Sequence, residues 1–194
     1  MSASPTRVEI HADRIAELEA GGWRAYYDRD WPRVIRLMVA LNQEQFHIPF
    51  PLSVVAAMHV ARASIAWAPV EHEEAAVRHH LRRFYRMARR WSDLEFDPHR
   101  AADLEIGYWI EHRRLLGEAD KSSFVDAMAA LHAELFQLPI SRMQESAEWR
   151  VKANNTVDLI TGGDSQDPEA DWAKLEEELR HCYRAIDREV NDSR

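Results

Sequence analysis

The stretch 41–49, "LNQEQFHIP", decides how this chain is read, because residues 131–139, "LHAELFQLP", repeat it ninety residues later. Leu, Glu, Phe and Pro recur in register, so Glu44 answers to Glu134, while His47 is replaced by Gln137. Taken alone, Glu44 with His47 three residues on is spacing that aims two metal ligands from one helix. The second copy makes Glu44 part of a repeated element as well.

Two further blocks extend the repeat. Residues 14–23, "RIAELEAGGW", match 100–109, "RAADLEIGYW", and 81–90, "LRRFYRMARR", match 179–188, "LRHCYRAIDR". All three blocks run in the same order, and the offset between copies changes only where loops are expected. Apolar residues recur at three- and four-residue spacing throughout, with no alternating strand pattern. The expected fold is therefore an all-α, tandem-duplicated helical bundle: two four-helix units, 1–94 and 95–194, related by a pseudo-twofold axis within one globular body. Helices are predicted at 9–29, 32–47, 52–67, 71–91, 98–116, 122–137, 141–160 and 168–190. Asp30, Asp97 and Asp167, each with proline close behind, mark helix starts, and Pro49, Pro69 and Pro139 mark stops.

Composition narrows the function classes. With 194 residues, 46% of them hydrophobic, the chain can bury a sizeable core. A net charge of −8 argues against a phosphate-tracking nucleic-acid surface. The longest apolar run, 54–61, is too short to span a membrane, and no cleavable-looking apolar segment follows "MSASPTRVEIHADR". A cytoplasmic protein is expected. The single cysteine, Cys182, leaves no disulfide framework and no Cys-rich zinc site.

The repeated carboxylates are the first candidate site. Glu44 falls in the stripe Val34, Leu37, Leu41, Glu44, Ile48, and Glu134 in the matching stripe Phe124, Ala127, Leu131, Glu134, Leu138. Glu19 and Glu105 occupy matching faces of the first helices. Buried carboxylates need a cation, a metal or donors. If Glu19, Glu44, Glu105 and Glu134 converge, with His47 or His112 completing the set, the site would take iron or manganese. That plan resembles the ferritin-like di-metal bundles, and the resemblance implies a di-metal oxidoreductase. It is partial: the second Glu-x-x-His, Glu178 with His181, lies outside the duplicated position. The alternative is a non-catalytic interaction or assembly module whose glutamates are structural ion pairs, with Arg14 and Arg100, Arg62 and Lys152, and Arg82 and Arg180 as repeated partners.

A duplicated fold needs only one site, so inward positions where the copies differ are the second candidate. Gly22 aligns with Tyr108, Tyr26 with His112, and Trp67 with Val157. Gly22, Tyr26, Trp67, Tyr108 and His112 are therefore the expected lining of a site for a small polar or cationic ligand. Two adjacent mid-helix glycines, Gly21 and Gly22, imply close backbone approach or space for that ligand. The fourth helices carry opposite charge, "RHHLRR" from 78 against "EEE" at 176–178, which predicts pairing between units or between copies in a homo-oligomer.

Overall fold

A computed structural model describes residues 10–192 of the chain. They form eight α-helices: α1 Ala12–Tyr27, α2 Trp31–Phe46, α3 Leu52–Trp67, α4 Glu74–Trp91, α5 Pro98–Arg114, α6 Ser122–Phe136, α7 Gln144–Gly162 and α8 Pro168–Asp192, with one 3-10 turn, Ile140–Arg142, before α7. The predicted aspartate caps hold. The Asp30 carboxylate accepts from Arg33 N at 3.2 Å, Asp97 from His99 N at 2.8 Å, and Asp167 from Ala170 N at 3.1 Å.

The repeated stretch ends α2 and α6. His47 and Gln137 both take left-handed backbone, with φ of 54° and 53°, immediately past the last helical residue. The next residue then turns back: Ile48 N donates to Asn42 O at 3.3 Å and Leu138 N to Ala133 O at 3.1 Å. Ile48 is fully buried by that turn, which gives the motif its hydrophobic anchor. The conserved spacing within "LNQEQFHIP" and "LHAELFQLP" is thus that of a helix stop, with proline preventing continuation.

Each helix packs against its neighbours in sequence, and α8 returns to α1, so the eight helices close into a ring. Buried apolar residues form two clusters. One runs from the end of α2 through α7 around Leu81, Ile106, Phe124 and Met143; the other joins α1, α7 and α8 around Ile15, Leu175 and Leu179. Both cross the division expected near residue 94. Arginines of the fourth helices reach across the joins: Arg78 and Arg82 to Asp103 of α5, Arg180 and Arg184 to Asp13 of α1. Among the described residues, no helix is long and apolar enough to cross a membrane.

Candidate functional site

Closing the ring leaves a cavity on its axis. An inner chamber of about 160 Å³ receives side chains from all eight helices. An outer chamber of about 380 Å³ adjoins it toward the C-terminal end of α1, where exposed Tyr27 and Ala68 stand at the mouth. Glu19, Glu105, Tyr108, Trp109 and Arg150 belong to the walls of both.

That shared wall holds the charge centre. Arg150 of α7 donates from Nη1 to Glu19 Oε2 at 2.6 Å, and the Tyr183 hydroxyl donates to the same oxygen at 2.6 Å. Opposite them, the Tyr85 hydroxyl donates to Glu105 Oε2 at 2.9 Å. The two Tyr–Glu bonds join α8 to α1 and α4 to α5, and they involve residues that the sequence blocks align. Burial opposes the charge on Arg150, but Glu19 and the surrounding tyrosines outweigh it and hold the guanidinium firmly protonated. Burial raises the Glu105 pKa, against the Tyr85 hydrogen bond and the Arg150 charge that favour ionisation. Tyr108 is pushed up to about 12, chiefly by burial.

His132 lines the inner chamber as a neutral ring. Ser146 Oγ gives its proton to Met143 O at 2.9 Å, so at 2.8 Å it accepts from His132 Nδ1, which assigns the proton to Nδ1 and leaves Nε2 an acceptor. Burial, reinforced by Arg150, lowers the pKa of His132 to about 3. Among the described residues, two buried donors of side chains that line the cavity, Asn42 Nδ2 and Arg150 Nε, have no partner.

The five positions chosen because the copies differ, Gly22, Tyr26, Trp67, Tyr108 and His112, all lie on the wall of the outer chamber. Trp23 and Trp109 join them, each partly buried. Trp67 and Trp109 lie 5.6 Å apart between ring centres, and the Arg150 guanidinium sits 4.9 Å from the Trp23 ring centre. His112 is fixed by Asp158 at 2.8 Å and stacks on Phe124. The glycine pair divides the two roles expected of it. A methyl at Gly21 would meet Leu37 Cδ1 at 3.3 Å, whereas at Gly22 it would meet nothing within 4 Å.

The carboxylates do not converge as a set of four. Glu19 and Glu105 face the cavity, but Glu44 and Glu134 sit near the ends of α2 and α6 and bind the beginnings of α1 and α5. Glu44 pairs with His11, the residue that caps α1. Glu134 accepts from the backbone N of Asp97, which caps α5, at 2.8 Å and from Arg100 at 3.0 Å. Their places in the apolar stripes belong to the last turn, where the helix reaches the rim of the ring. His47 is exposed. Glu178 accepts from Thr156 at 2.7 Å while His181 stacks on Trp149, so that pair diverges too. Among the described residues, no group of three or more His, Cys, Asp or Glu side chains is placed to hold a metal ion.

Arg150, which lines both chambers and pairs with Glu19, is a candidate-site residue that the sequence did not single out. At the offset that aligns Trp67 with Val157, Arg150 aligns with Val60, which lines the same chambers. Disagreement between copies was a signal for it; the third helices carry no matched block to draw attention there. Comparison of the chain with protein-family models, curated proteins and solved structures finds no match.

Proposed function

We propose that the protein binds a neutral small organic molecule in the central cavity, its flat apolar body among the tryptophans of the outer chamber and a carbonyl-like acceptor at the charge centre. The observation that carries this reading is that the tryptophan-walled outer chamber meets the Arg150–Glu19 charge centre at one shared wall. Among the described residues, two buried donors of lining side chains, Asn42 Nδ2 and Arg150 Nε, have no partner, and a donor left so costs about 1–3 kcal/mol, part of which a ligand acceptor would recover once the side chain turned toward it. Arg150 is already balanced by Glu19, and burial disfavours an ionised Glu105. A neutral acceptor therefore enters with a smaller desolvation penalty than an ion. Tyr108 at about 12 and His132 at about 3 hold their protons fixed near neutral pH, which favours binding over acid–base catalysis.

This reading keeps the ligand half of the sequence expectation. The iron or manganese site would need Glu44 and Glu134 at the cavity beside Glu19 and Glu105, and their rim positions argue for a structural role of those two carboxylates. The matched Tyr–Glu bonds support reading the ring as two duplicated units, with the ligand site between them made asymmetric by Arg150, Trp67 and Gly22.

Calorimetric titration with indole-3-acetamide, indole-3-acetate and tryptamine tests the proposal, since the three share a body and differ in the polar end. For about 13 non-hydrogen atoms at roughly −0.3 kcal/mol each, a Kd near about 1 mM is expected for the acetamide. The acetamide should bind best and tryptamine worst. Tightest binding by tryptamine would mean that the carboxylates read a cation. No heat from any of the three up to about 10 mM would contradict the proposal.

A further inference from the structure

Outside the cavity, the outward face of α3 and α4 is the feature that the ring does not use. Leu52 and Val55 of α3 and Met87 and Trp91 of α4 line a surface groove of about 450 Å³, flanked by His59, Arg83, Arg86 and Arg90. Leu52, Val55 and Trp91 stay exposed at 38%, 43% and 39%. Arg78, Arg82 and Arg89 of the same helix each reach a carboxylate. Among the described residues, Arg83, Arg86 and Arg90 reach none, and neither does Arg62 beside them. Burial lowers the pKa of His59, and the neighbouring His80, Arg83 and Arg62 lower it further. A chain with net charge −8 thus concentrates unbalanced positive charge around one apolar groove.

We infer that this groove docks an acidic amphipathic helix of a partner protein. The lining residues recur at three- and four-residue steps on both helices, so the groove follows a helical seam between two ridges. From Leu52 to His59 it runs about 10 Å at 1.5 Å per residue, room for about two turns of a docked helix. Apolar side chains of the partner would enter between Val55 and Trp91, and its carboxylates would meet Arg83, Arg86 and Arg90 on the rim. A concave apolar seam suits a helix better than a bilayer, which would be met by a convex ridge, and the overall negative charge opposes adsorption to anionic lipid or nucleic acid.

The test uses the full chain and a fluorescein-labelled 18-residue synthetic peptide of Leu and Glu at helical spacing, compared by anisotropy with its Lys-for-Glu counterpart. The Glu peptide should bind at least about tenfold more tightly, and raising salt from about 50 to about 300 mM should weaken it about fivefold. The double variant Arg83→Glu, Arg86→Glu should lose the Glu peptide and gain the Lys peptide, a reversal that an unfolded variant cannot produce. Equal binding of both peptides would overturn the inference. So would sedimentation of the wild type, but not the variant, with phosphatidylserine vesicles, which would make the face a membrane surface. A dimer in the absence of peptide that the variant abolishes would assign the face to a second copy instead.

Discussion

Replacing Glu19 by Gln keeps the shape of the side chain and removes its charge, leaving the Arg150 guanidinium buried without its counter-ion. Both side chains are largely shielded, at 10% and 15% exposure, so solvent compensates little. Removing one partner of such a pair costs about 3–5 kcal/mol, because the remaining charge keeps its desolvation penalty. For a chain of this size about 2–4 °C is lost per kcal/mol, so melting should fall by roughly 6–20 °C. Glu105→Gln is the matched control at the aligned position. Burial raises the pKa of Glu105 in the folded state, so its contribution is present below the unfolded pKa and is lost as pH rises through the folded value. Removing that titration should be neutral or stabilising at pH 8 and should flatten the fall in stability that begins as pH rises above the unfolded carboxyl pKa. The double variant Glu19→Gln, Arg150→Met should recover much of the loss, since a buried pair replaced by an apolar group is often close to neutral. Urea unfolding followed by circular dichroism at pH 6 and 8 reads all three. Equal losses for Glu19→Gln and Glu105→Gln, or no recovery in the double variant, would refute the assignment of the ion pair to Glu19 and Arg150.

His132, with its folded pKa lowered to about 3, contributes stability that is complete above its unfolded pKa and declines as pH falls from about 6.5 toward 3; its ring should not titrate by NMR between pH 5 and 8. Cys182, buried and pushed up to about 12, should resist thiol reagents until denaturant unfolds the chain, and rapid labelling of native protein would contradict its placement. His47→Gly should stabilise the fold by up to about 1 kcal/mol, because the side chain sits at positive φ, whereas destabilisation would point to a role for the imidazole. Gly22→Leu should preserve or raise stability through helix propensity, of order 1 kcal/mol, yet abolish indole-3-acetamide binding by filling the outer chamber.

Helix limits were legible because their signals are local: an aspartate before proline, a polar residue and proline after a phenylalanine. Residues of the outer-chamber wall were legible in the sequence, since positions that differ between the matched blocks fall on one face of each helix, Gly22 and Tyr26 on α1 and Tyr108 and His112 on α5. The ring closure was not, because nothing local in α1 or α8 says that they meet. Glu44 shows the limit of face arithmetic. Its spacing fits the apolar stripe, but at the end of a helix the same face leaves the core and meets the start of the preceding helix, where Glu44 pairs with His11. Arg150 shows the complementary limit: a lone arginine in an ordinary helix becomes a buried cation only when the ring brings Glu19 and Tyr183 to it.

The most direct test of the account follows the indole Nε1–H resonances of the seven tryptophans while indole-3-acetamide is added. Trp23, Trp67 and Trp109 line the outer chamber, whereas Trp91 belongs to the separate groove of α3 and α4. The first three resonances should shift together along one saturating curve with Trp91 unmoved, and Gly22→Leu should silence the response. Shifts confined to Trp91, or an undiminished response in Gly22→Leu, would contradict ligand binding in the central cavity.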